Sequence, residues 1–187
     1  MPNIEEIIKG CQQHKMKSQK LLYDMYSNKM FSICLRYTKS REEAEDVFQD
    51  AFLKVFKNIH QYNFTGAFEG WLRRIFVNTA ISNYRQNINT YYHAELEKAD
   101  YQYSQKNTIG DVEFTKEELQ KVIDSLPAGY KLVFNMYAVE GYKHKEIADM
   151  LEIDISTSKS QYSRAKKVIR EKLYELSKIT LESKDGE

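Results

Sequence analysis

The chain has 187 residues, with 28 Lys and Arg against 27 Asp and Glu and a net charge of +1 at pH 7. That length allows one domain or two small ones, and the near-neutral balance excludes a uniformly basic coat, so any nucleic-acid surface must be local. No apolar run reaches the roughly 20 residues needed to cross a bilayer, and no basic-then-apolar leader follows Met1, so a cytoplasmic chain without membrane insertion is expected.

With only 7 Gly and 2 Pro, and apolar residues at helical rather than alternating spacing, the fold class is expected to be all-α. Cys11 and Cys34 suit a reducing compartment, and Cys34 sits between Ile33 and Leu35 as an ordinary buried thiol. Cys11 and His14 have a metal-like spacing, but no second pair completes it among His60, His93 and His144, so no metal or other cofactor is expected.

A helix is predicted over about 18–37, followed by punctuation from Thr38 to Ser40. Residues 41–59 then carry an unbroken stripe: Ala44, Val47, Phe48, Ala51, Phe52, Val55, Phe56 and Ile59 fall on one helix face. Glu42, Glu45, Asp46, Gln49 and Asp50 fall on the other. A loop from His60 to Gly66 precedes a helix running to about residue 86. There Phe68, Leu72, Ile75, Phe76 and Thr79 project inward, Arg74 and Arg85 outward, and Asn78 to the edge.

Residues 1–88 thus read as one helical domain. The aperiodic, Asn-, Gln- and Tyr-rich stretch 89–112 reads as a flexible linker. A second domain over 113–180 is predicted from helical pieces at about 113–125, 128–139, 143–151 and 156–179, with 181–187 as a tail. Charge follows this division: residues 1–92 hold 13 basic and 9 acidic groups, 93–118 hold 3 and 7, and 119–180 hold 11 and 8.

The last two pieces have helix-turn-helix spacing. Ile147, Ala148 and Leu151 share a face, and small Ala148 allows a close crossing with the helix that follows. With Tyr162, Ala165, Ile169 and Leu173 inward, projection leaves Ser156, Thr157, Ser160, Arg164 and Lys167 outward, and Lys159 and Gln161 at the margins. Gln and Arg can bond base edges, whereas Lys, Ser and Thr more often hold phosphates.

Leu126–Pro127, Tyr130, Val133–Phe134 and Gly141–Tyr142–Lys143–His144–Lys145–Glu146–Ile147–Ala148, continuing into Lys159–Ser160–Gln161–Tyr162–Ser163–Arg164–Ala165, resemble region 4 of sigma factors. The resemblance implies binding to a minus-thirty-five promoter element. Glu152 stands where the turn usually has Gly, and a β-carbon disfavours the left-handed conformation expected there. Ser158 stands where an apolar residue is common.

Arg41 to Phe52 likewise resembles the region 2 helix that docks on core RNA polymerase, which implies core contacts by Glu45, Asp46, Gln49, Asp50 and Leu53. An acidic, amide-bearing strip offers charge complementarity to a basic partner helix. The loop at Tyr62, Asn63 and Phe64 resembles the segment that captures an extruded minus-ten base. Phe68 to Arg85 resembles the helix laid along that element, with Arg74, Asn78 and Arg85 toward DNA and Ser82 in place of a common Asp. Tyr62 and Phe64 have two open uses, stacking on a base or capping the core.

The implied protein is a sigma factor of the extracytoplasmic-function (ECF) type that binds core RNA polymerase and promoter DNA, with an anti-sigma factor as a further partner. No catalytic residue is expected: the clustered acids face away from the core, and no His follows at the offset a bundle di-metal site uses. A linker of about 25 residues extends to roughly 80 Å, enough for one chain to touch both promoter elements. A conventional helix-turn-helix regulator acting without polymerase is the rival reading.

Overall fold

In the computed structural model, residues 3–87 and 113–184 are described, with side chains through Lys178. The linker assigned to 89–112 lies outside the described residues. The chain divides into two units, Met1–Asn87 and Ile88–Glu187, and the described residues are helical with no strand, as the apolar spacing predicts.

The first unit begins with a helix absent from the sequence prediction. Asn3 caps α1 (Ile4–Gln12) by accepting from the Glu5 N–H at 3.3 Å, and Glu5 and Glu6 sit in the first turn, where the helix dipole favours acid. Ile7, Ile8 and Cys11 bury its inner face. Gly10 lets α1 close on α2 (Met16–Tyr37): a β-carbon there would lie 2.1 Å from Ser18 Oγ and 2.7 Å from Ser18 Cβ.

Ser40 caps α3 (Arg41–Asn58), accepting from the Glu43 N–H at 3.1 Å while Glu43 reaches back to the Lys39 N–H at 2.9 Å. A short 3-10 turn, Ile59–Gln61, and the loop through Gly66 lead into α4 (Phe68–Gln86). The predicted stripe is inside as drawn, except that Phe56 is only half-buried. Helices α2, α3 and α4 pack around Phe48, Phe52 and Phe76, whose rings meet edge-on at 4.9 Å (Phe48 to Phe52) and 5.1 Å (Phe52 to Phe76). Such pairs add about 0.5–1.5 kcal/mol each beyond area burial.

Among the described residues of the second unit, Thr115 and Glu118 form a capping box at the start of α5 (Lys116–Asp124). Helix α6 (Ala128–Phe134) passes into a wider π-type turn at Asn135–Val139, so the piece predicted over 128–139 is not one regular helix. Gly141 (φ +80°) turns the chain into α7 (His144–Leu151), and α8 spans Ile155–Lys184, entering the stretch read as a tail. The core is small and mostly aliphatic, with Leu126, Leu132, Val133, Met136, Ile147, Leu151, Ala165 and Val168 buried.

Candidate functional site

Helix α3 presents its strip because the core claims every other row. Asp46, Gln49 and Asp50 are exposed, and Leu53, one turn further on the same face, is 68% exposed. Glu45 lies beside this row in an ion pair with Arg41 at 2.9 Å, and Arg41 also sits over the Phe31 ring. An exposed apolar tip next to exposed acids suits a partner that is basic with an apolar notch. A cleft of about 80 Å³ separates this strip from α4, lined by Asp46, Asp50, Lys54, Thr79, Ser82 and Asn83. Ser82 spends its hydroxyl on the Asn78 carbonyl at 2.9 Å.

The loop before α4 closes on itself. Tyr62 is 6% exposed, donates its hydroxyl to the Gly66 carbonyl at 2.8 Å, and is enclosed by Phe64, Phe68 and Trp71. Of the two uses open to Tyr62, capping the core is the one its burial favours. Phe64 is different: it is 37% exposed and adopts φ 62°, the left-handed region that costs a bulky residue strain. Between them Asn63 is exposed, its Oδ1 accepting from both the Thr65 N–H and hydroxyl. On α4, Arg74, Asn78 and Arg85 are exposed, which places two cations and an amide on the helix that follows the loop.

In the second unit Ser156, Lys159, Ser160 and Arg164 are exposed on the outer side of α8, whereas Thr157, Gln161 and Lys167 are half-buried at its flanks. Thr157 and Lys167 are thus less outward than projection suggests, and Lys159 is more so. Glu152 adopts the left-handed conformation (φ 56°, ψ 45°) despite its β-carbon, and the Ile153 N–H closes the turn on the Ala148 carbonyl at 3.1 Å. The turn keeps the geometry that Gly would take more easily.

Residues 22–89 match sigma-70 region 2, and residues 116–169 match sigma-70 region 4. The ECF RNA polymerase sigma-E factor of Escherichia coli (strain K12) is 30% identical over 185 residues, covering 92% of this chain and 93% of that protein. The chain belongs to the ECF group of the sigma-70 family. The ECF RNA polymerase sigma-E factor of Haemophilus influenzae is 29% identical, over 92% of this chain and 96% of its own. Among solved structures, the sigma factor RpoE of Bartonella quintana in complex with the anti-sigma factor NepR is similar at 19% identity and TM-score 0.49, covering 84% of this chain and 98% of that one. As a sigma factor, this protein binds core RNA polymerase and promoter DNA and directs promoter-specific initiation.

Two features of this sigma factor were missed in the sequence. His144 Nδ1 meets Ser158 Oγ at 3.0 Å, and Ser158 is fully buried, so a polar pair bridges α7 and α8 at the position where an apolar residue is common. The His144 ring stacks on Tyr137 at 4.4 Å, and burial, with the charge of Lys159 adding, holds its pKa below 6.5. The departure at Ser158 was visible, but its partner 14 residues earlier was not. The other feature is Gln12, which donates to the Ile59 and Tyr62 carbonyls at 3.0 and 2.9 Å and so ties α1 to the loop.

Proposed function

We propose that this sigma factor divides its work along the chain, with residues 1–88 and 113–180 as working domains and 89–112 joining them. The strip Asp46, Gln49, Asp50 and Leu53, flanked by Glu45, docks core polymerase. Asn63 and Phe64 take an extruded minus-ten base, while Arg74, Asn78 and Arg85 hold the backbone of the same strand. Ser156, Lys159, Ser160 and Arg164, flanked by Thr157, Gln161 and Lys167, read the minus-thirty-five duplex.

The observation that carries this reading is the loop at 62–66. It is closed by its own hydrogen bonds, yet it leaves an amide and a partly exposed ring side by side at the start of a helix with two outward arginines. Unstacking a base costs a few kcal/mol, which a pocket offering hydrogen bonds and an aromatic face offsets. Polymerase supplies the nucleotide chemistry, so this chain is not itself an enzyme. Its place of action is the cytoplasm; no helix among the described residues is long and apolar enough to cross a membrane. Family membership further supports an anti-sigma factor as inhibitory partner.

Transcription with purified core enzyme and a promoter library tests the reading. Initiation at a two-element promoter is expected, with opening sensitive to Asn63→Ala and upstream affinity sensitive to Arg164→Ala. Duplex binding and regulation that need no core enzyme would contradict it.

A further inference from the structure

The loop that carries Asn63 is not held by its own bonds alone. Gln12 stands at the end of α1, and its single Nε2 group, with two N–H donors, spans the carbonyls of Ile59 and Tyr62. Those two residues bracket the 3-10 turn that delivers the chain to Asn63. One turn earlier on α1, Lys9 Nζ lies 5.6 Å from the centroid of the Phe64 ring. Helix α1 thus touches the loop on both sides of Asn63.

A brace is useful only if its own base is fixed, and α1 is. Cys11 is 0% and Ile8 1% exposed, and the Gly10 backbone sits against Ser18 with no room for a β-carbon. The loop, in turn, needs bracing. Phe64 holds a left-handed φ of 62°, which persists only where the surroundings over-determine it. Left to itself, the segment would relax toward commoner backbone conformations and carry Asn63 with it.

We propose that Gln12 is a positioning residue for promoter opening: by clamping both ends of the 3-10 turn it pre-forms the Asn63 loop before DNA arrives. Pre-forming removes the ordering cost from the step in which the base is taken. The proposal rests on the base-capture reading of that loop, and it adds α1 to the machinery although α1 need not touch DNA.

The test uses the full chain in holoenzyme, on promoters carrying 2-aminopurine at successive non-template minus-ten positions. Gln12→Met keeps the length of the side chain and removes both donors. It is expected to lower opening about tenfold, the size of one to two lost hydrogen bonds, with core affinity and minus-thirty-five duplex affinity within about twofold of wild type. Because Gln12 acts through the loop, Gln12→Met added to Asn63→Ala is expected to lower opening no further than Asn63→Ala alone.

Unchanged opening in Gln12→Met, or a loss that adds in full to that of Asn63→Ala, overturns the brace. A silent Asn63→Ala overturns the base-capture reading itself, and the brace with it. Should Gln12→Met fold poorly, Lys9→Met decides: it keeps most of the stem and loses the charge over Phe64. A loss of about twofold that is likewise absorbed by Asn63→Ala supports the brace, and an additive or absent loss overturns it.

Discussion

The two helical units of this sigma factor are built from different materials. In the first, Phe48, Phe52 and Phe76 interlock at 4.9 to 5.8 Å, with Tyr23 and Phe31 packed against them. The second buries mostly aliphatic side chains and admits polar ones, Asn135 at 1% and Ser158 at 0% exposure, beside a π-type turn and a left-handed Glu152. Ring packing supplies large burial per residue and a stiff frame, on which the first unit can hold a strained Phe64. In the second unit a polar pair, His144 and Ser158, joins the apolar packing of Ile147, Ala148 and Leu151 between α7 and α8. The difference teaches where each unit is vulnerable: the first to lost volume, the second to a lost partner atom.

The largest break is expected in the first unit. Phe76→Ala removes a ring that is fully buried between Phe48 and Phe52 and should cost about 3–5 kcal/mol, seen in urea unfolding as early loss of the first unit with duplex binding by the second retained. A cost under about 1 kcal/mol would mean that the rings do not carry that core. In the second unit, Ser158→Ala leaves His144 Nδ1 without its partner and should cost about 1–3 kcal/mol, with weaker minus-thirty-five binding. Unchanged binding would show that the pair does not set the helix angle.

Glu152→Gly works in the opposite direction. Relief of the left-handed β-carbon, less the added freedom of the unfolded chain, should stabilise the second unit by about 0.5–1 kcal/mol in thermal unfolding. The smallest effect is the titration of His144. Its folded pKa lies below 6.5, so the unfolded state binds more protons at mildly acid pH, and the contribution of neutral His144 is lost as pH falls from 6.5 through the folded value. NMR titration of the ring should give a midpoint below 6.5, and a midpoint above it would reverse the sign.

The helical stripe at 41–59 was legible because eight apolar residues repeat at a spacing that only a helix places on one face, and an exposed acidic row follows by elimination. The helix-turn-helix was legible for the same reason, since Ile147, Ala148 and Leu151 share one face just before the turn into α8. Helix α1 also left a mark, with Asn3 before Glu5 and Glu6 and Ile4, Ile7, Ile8 and Cys11 at helical spacing, and could have been found. The contacts of Gln12 and His144 could not. Their partners lie 47, 50 and 14 residues away, and nothing local in the chain announces which carbonyl or hydroxyl will be brought near. Tyr62 and Phe64 show the same limit: two aromatic residues on either side of Asn63 separate into core and surface, with Phe64 in the left-handed region.

The division of labour within the first unit is tested most directly by measuring core affinity and promoter opening side by side in Asp50→Lys and Asn63→Ala. Asp50→Lys should lose about tenfold or more in core affinity through charge reversal in the strip proposed to dock, while Asn63→Ala keeps core affinity within about twofold and loses opening. If both variants lose both activities in equal measure, the strip and the loop are not separate devices and the account is wrong.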